Sequence, residues 1–224
     1  SKRNDLSALF KGYKEKYDSL QAAIKEVRSS TLLTDEGKGQ EIQRLKAEFA
    51  PTVQNYRDAA ISIIDEESTN LSAKWSAAVT SKLSDGNYQA GLSNVLKMIE
   101  TGSITRKEDM QVIIDTYKED PMAMSSIRNM LTENSKPDVE HKYNSFNSET
   151  AVSFADMIPR DSRERNTQLI QQLRGNVDKY INVENIGAEE KQWNSFNAID
   201  PSMSMNGMSE FVDTKLTDDF TLVE

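Results

Sequence analysis

Residues 1–30, SKRNDLSALFKGYKEKYDSLQAAIKEVRSS, decide the fold. Leu6, Tyr13, Leu20 and Val27 recur every seven residues, and Phe10, Tyr17 and Ile24 fall between them at steps of four and three. On a helix such a row forms one continuous apolar seam. Lys11, Lys14, Glu15, Lys16, Asp18, Lys25 and Glu26 lie off that seam, where water solvates them. Tyrosine in a seam is bulky for a two-stranded parallel coil, so an intramolecular helical partner fits better than a homodimeric zipper.

The partner is the next segment. Ser29 to Thr34 breaks the first helix, and TDEGKGQ supplies a turn with Thr34 as N-cap. A second seam follows in Ile42, Phe49, Tyr56 and Ile63, with Leu45, Val53 and Ala60 beside it. The apolar pattern runs on through Ile64, Leu71, Trp75, Val79 and Leu83. Pro51 lacks the N–H that a helix interior uses, so a kink or short restart is expected there. A helix from about 38 to 84 would be roughly 70 Å long. The first helix covers about half of that, and the remainder, with Trp75 and Val79, is the expected docking surface.

The style changes at the turn Ser84-Asp85-Gly86-Asn87. A helix near 87–101 would bury Leu92, Val95, Leu96 and Ile99, with Gly102 at its C′ position. Thr105 to Glu108 has capping-box spacing before Met110, Ile113, Ile114 and Tyr117. Asp120 caps a third helix with Pro121 at its first position, burying Met124, Ile127, Met130 and Leu131. Together these predict a three-helix module over 85–135, following a helical hairpin over 1–84.

Asn134 to Asp138 reads as a linker into a helical C-terminal region, 136–224, with an acidic tail. This region holds an echo, E-x-x-[YW]-N-S-F-N, at 140–147 and again at 190–197; two copies of so short a pattern leave repeat and coincidence both open. Between them Asp161 to Glu164 has capping-box spacing before a stripe of Leu169, Ile170, Leu173, Val177, Tyr180 and Ile181. Asp200-Pro201 restarts a last short helix through Phe211 and Val212. The tail TDDFTLVE alternates weakly, so it is loose or an extended arm on a neighbour. The fold class expected is all-α and elongated.

Composition agrees with long helices that each bury one stripe. Only 37% of residues are apolar and 28% are charged, with a mean hydropathy of −0.66. The net charge of −9 argues against direct contact with nucleic acid or an anionic membrane, both of which call for clustered Lys and Arg. Charge is also uneven: residues 1–28 hold seven Lys/Arg against four Asp/Glu, and residues 187–224 hold two against eight. Ends of opposite sign suit head-to-tail contacts, although a solvated surface explains them equally simply. With no cysteine, disulfides and thiolate chemistry are excluded. The first residues hold no apolar signal core and no window reaches the length of a membrane span, so a protein that is not secreted is expected.

Catalytic signals are thin. His141 is the one histidine, in a polar stretch, and reads as a surface residue. Asp65-Glu66-Glu67, Glu189-Glu190 and Asp218-Asp219 are adjacent in sequence, and adjacent side chains on a helix diverge, so they read as solvated faces. No phosphate-binding glycine loop or calcium-loop spacing occurs. No catalytic residue, cofactor or metal is therefore assigned. The methionines are less ordinary. Met122, Met124 and Met130 suit core packing, whereas Met203, Met205 and Met208 in SMSMNGM suit either a core or an adaptable partner surface. The candidate interaction residues are Trp75, Val79, Met203, Met205, Met208, Phe211 and Phe220.

The charged heptad hairpin, the TDEGKGQEI turn into a long helix ending in Trp75, the KLSDGNYQAGLSNVLKMIETGSIT stretch and the absence of cysteine together resemble the helical structural and assembly proteins of tailed bacteriophages of Gram-positive hosts. The likeness lies mainly in residues 1–120 and carries over no site. The acidic tail departs from the basic, capsid-binding tail of many scaffolding proteins. The resemblance implies a non-enzymatic component of the particle or of its assembly, present in many copies in the virion or in the host cytoplasm. Its partners would be other phage structural proteins or further copies of itself. The alternative is a helical adaptor or regulatory protein of the bacterial cytoplasm.

Overall fold

A computed structural model describes residues 1–134, 148–186 and 207–223. The chain is all-α: α1 (Lys2–Ser29), α2 (Asp35–Ser84), α3 (Gly86–Glu100), α4 (Lys107–Tyr117), α5 (Pro121–Asn134), α6 (Ser148–Met157), α7 (Arg163–Tyr180) and α8 (Met208–Lys215). A single 3-10 turn, Val183–Asn185, follows α7. Among the described residues no strand forms, and one isolated antiparallel bridge pairs Leu216 with Leu222. Both copies of the echo, His141, Glu189-Glu190, Met203, Met205 and the restart at Asp200-Pro201 lie outside the described residues.

The chain divides into two units, residues 1–72 with 164–224, and residues 73–163. These boundaries differ from those expected at 84 and 135. A helical period shows that a face is apolar but not which neighbour will cover it.

In the first unit α1 and α2 are antiparallel. Tyr13 lies tilted against Tyr56, Tyr17 meets Phe49 edge-on, and Lys2 pairs with Glu66. Leu6, Phe10, Tyr13, Tyr17, Leu20 and Ile24 are all buried, as the heptads predict, while Val27, the last of the row, is half-buried. On α2 the deep positions are Val53, Ala60, Ile64 and Leu71, while Ile42, Phe49, Tyr56 and Ile63 are half-buried. The seam is therefore rotated by part of a turn from the expected row. The cause is a second partner: α7 also packs along α2, antiparallel to it, with ion pairs Arg57–Asp178 and Arg174–Asp65. A helix held between two neighbours buries the positions between them. Room for the aromatics comes in part from Gly12, where a Cβ would stand 3.1 Å from the Tyr56 hydroxyl. α2 runs on through Pro51 as one helix, so the expected restart does not occur.

The second unit has its own core of Leu92, Ile99, Ile104, Met110, Ile114, Tyr117, Met124, Ile127 and Leu131, completed by Phe154 of α6 and by Ile158. α5 is central, packed against α3, α4 and α6. The expected three-helix module thus gains a fourth helix from beyond the presumed linker. Its helix ends follow local chemistry. Gly102 has a φ of 68°, the left-handed conformation a C′ glycine supplies. Asp120 accepts from the amides of Met122 and Ala123, as expected of an N-cap, and also from the Tyr88 hydroxyl at 2.7 Å. The capping box at Thr105 does not form; Arg106 occupies the N-cap of α4 with no side-chain hydrogen bond.

Candidate interaction surface

The turn between α1 and α2 presents the most exposed large apolar side chain among the described residues. Leu32 is 94% exposed and Leu33 is 40% exposed. Two local hydrogen bonds shape the bend around them. The Ser30 hydroxyl accepts from the Leu32 amide at 3.2 Å, and the Thr34 hydroxyl accepts from the Gly37 amide at 3.1 Å. The second bond is the expected N-cap of α2. Each bond satisfies a backbone donor while leaving the leucines on the outside of the bend. Beside them an open groove of about 870 Å³ is lined by Val27, Leu33, Gly37, Gln40 and Glu41, among others. Its rim is polar. Arg44 is clamped between Glu41 and Glu48, and that contact holds the Glu41 carboxyl below its ordinary range.

The residues singled out from sequence are placed differently. Trp75 and Val79 are half-buried on the part of α2 that belongs to the second unit. Met208, Phe211 and Phe220 do not form an open surface: they are 1%, 1% and 0% exposed in the core of the first unit. The tail is likewise neither loose nor laid on a neighbour. Residues 217–221 close a turn in which the Thr217 amide donates to the Thr221 carbonyl at 2.8 Å and the Phe220 amide to the Thr217 carbonyl at 3.1 Å. Phe220 itself takes a φ of 58°. The turn is docked on α7 by Asn166, which is buried and answers the backbone like a strand partner. Its amide donates to the Phe220 carbonyl at 3.0 Å, and its carbonyl oxygen accepts from the Leu222 amide at 2.7 Å.

The opposite charges of the two ends meet here, within one chain. Lys11 pairs with Asp213 at 2.7 Å, Arg3 with Asp218 at 3.1 Å, and the Ser1 hydroxyl donates to Asp218 at 2.9 Å. Arg3 also donates to the Leu216 carbonyl at 2.9 Å. The Lys11 ammonium holds the Asp213 carboxyl below the usual aspartate range. The head-to-tail attraction that the charge pattern suggested between molecules is therefore satisfied inside the unit.

Sequence reasoning missed Leu32 and Leu33. The available signal was two adjacent leucines inside the polar turn SSTLLTDEG, where a connection between helices normally carries no apolar pair. Among the described residues no group of three or more His, Cys, Asp or Glu is placed to hold a metal ion. No helix among them is long and apolar enough to cross a membrane. What the surface offers is an adjacent pair of exposed leucines beside an open groove. Comparison with family models, with curated proteins and with solved structures finds no match to this chain.

Proposed function

We propose that this chain is a non-enzymatic structural or assembly component of a phage particle, acting by packing helices against neighbouring proteins. The supporting observation is the leucine pair exposed at the bend between α1 and α2, where Ser30 and Thr34 cap the adjoining backbone. Burying one leucine fully contributes about 1.5–3 kcal/mol. A pair docked into a neighbour therefore gives weak, reversible attachment per copy. In a symmetric array many such contacts act together, and avidity replaces affinity. The acidic surface and the all-helical build suit a protein that meets other proteins in preference to nucleic acid.

The test is made on particles of the phage that encodes the chain. Mass spectrometry of purified virions and of assembly intermediates should find the protein in at least one of them. A Leu32→Ser/Leu33→Ser double variant should fold with unchanged helicity and melting, yet be depleted from that fraction. Absence of the parent chain from both fractions would overturn the proposal. Normal incorporation of the double variant would remove the leucine pair as its basis.

A further inference from the structure

The bend between α1 and α2 carries charge as well as its two leucines. Arg28 stands in the last turn of α1, and Asp35 and Glu36 stand in the first turn of α2, the signs that the two helix dipoles favour. Lys25 lies one turn behind Arg28, and all four side chains are exposed. Lys25, Arg28 and Asp35 enter no ion pair among the described residues. Glu26 and Lys38 add one charge of the other sign on each side, so residues 25–38 hold three Lys/Arg against three Asp/Glu. The bend is therefore balanced in a chain whose net charge is −9, and two copies can meet there with little of the repulsion that the acidic remainder imposes. Leu32 stands at the rim of the open groove that Val27, Leu33 and Gly37 help to line. Side chain and hollow thus lie next to each other on one patch, as base and acid do. A site for a different protein needs only one half of each pair. A surface that meets itself across a two-fold axis needs both halves, because each must find the other on the second copy.

Taking the leucine pair as the contact surface proposed above, we infer that its occupant is a second copy of this chain, with Leu32 of each copy in the groove of the other. Because α1 and α2 are antiparallel, one two-fold arrangement sets the end of α1 opposite the start of α2 in the second copy. The alternative arrangement sets like helix ends together. Charge selects the first: Lys25 and Arg28 of each copy then face Asp35 and Glu36 of the other. A contact made by one short bend is small beside a standard interface, so the pair forms reversibly and with rising concentration.

Two charge-reversed full-length chains provide the test. The first carries Lys25→Glu with Arg28→Glu, and the second carries Asp35→Lys with Glu36→Lys. Circular dichroism and melting establish that each folds; the single reversals Arg28→Glu and Asp35→Lys replace a pair that melts early. In analytical ultracentrifugation the parent's average mass should rise from one chain toward two between micromolar and near-millimolar concentration. Each reversed chain alone should associate several-fold more weakly, because acid then meets acid or base meets base. An equimolar mixture of the two should regain pairing, since both contacts across the axis again join opposite signs. The Leu32→Ser/Leu33→Ser chain should stay monomeric throughout. A parent that is monomeric at every concentration would overturn the inference. So would a mixture that pairs no better than its components, or pairing that ignores the leucine substitutions. A parent that does not pair, yet loses its place in particles through the leucine variant, would assign the patch to a different protein. Pairing by a chain absent from particles would leave the self-contact standing and remove only the phage setting.

Discussion

Tyr13 shows how the aromatic seam trades polarity for volume. Its ring lies 5.7 Å from Tyr56 and 6.0 Å from Tyr17, and it is one of the largest fully buried side chains described. The hydroxyl is buried too and has no hydrogen-bond partner among the described residues. Burial raises its ionisation well above that of ordinary tyrosine. A buried donor without a partner costs about 1–3 kcal/mol. Tyr13→Phe removes that donor and keeps the ring, so the variant should be more stable, by about 1 kcal/mol in denaturant unfolding. A loss of stability would mean that the hydroxyl is paired. The identity of Tyr13 as a seam residue was legible from spacing alone; the fate of its hydroxyl was not, because it depends on groups brought there by the chain fold.

At the scale of elements, the buried row of α1 was read correctly from Leu6 to Ile24 and the setting of α8 was not. α1 is long and its apolar row is regular, so over most of its length periodicity and burial coincide. α8 has eight residues, too few for a period to declare itself, and its setting comes from Lys11, Arg3 and Asn166, which are remote in sequence. α2 lies between these cases: the helix was legible, but its seam was displaced by the unforeseen contact with α7. The docking of α8 gives a pH prediction. Asp213 ionises below the ordinary aspartate value because Lys11 stands beside it. A carboxyl depressed in the folded state stabilises fully above the unfolded value of about 3.9 and loses that contribution as pH falls through the lower folded value. Asp213→Asn should therefore be less stable than the parent at neutral pH, and the gap should close as pH falls below about 4. Urea unfolding of both proteins across that range measures it, and a constant gap would contradict the assignment.

For the molecule as a whole, the decisive feature is that the first unit is built from both ends of the described chain while the second is continuous. The sequence offered three successive segments, because composition and turns change along the chain. The structure instead inserts residues 73–163 between the two parts of the other unit. Each core should respond to its own mutations. Leu20→Asp places a carboxylate in the buried seam of the first unit and should cost about 3 kcal/mol or more. Ile127→Ala opens a cavity in the second and should cost about 2–5 kcal/mol. Native-state hydrogen exchange should show the largest loss of amide protection in α1 for the former and in α5 for the latter. Equal losses in both places for either variant would show that the two cores do not respond separately. The pairing of Lys11 with Asp213 also sets a timetable during translation. The two residues are 202 positions apart, and a ribosome adding about 5–20 residues per second needs roughly 10–40 s to cover that distance. Through that interval α1 has α2 beside it but lacks α8, which packs on it only after all of the second unit has been made.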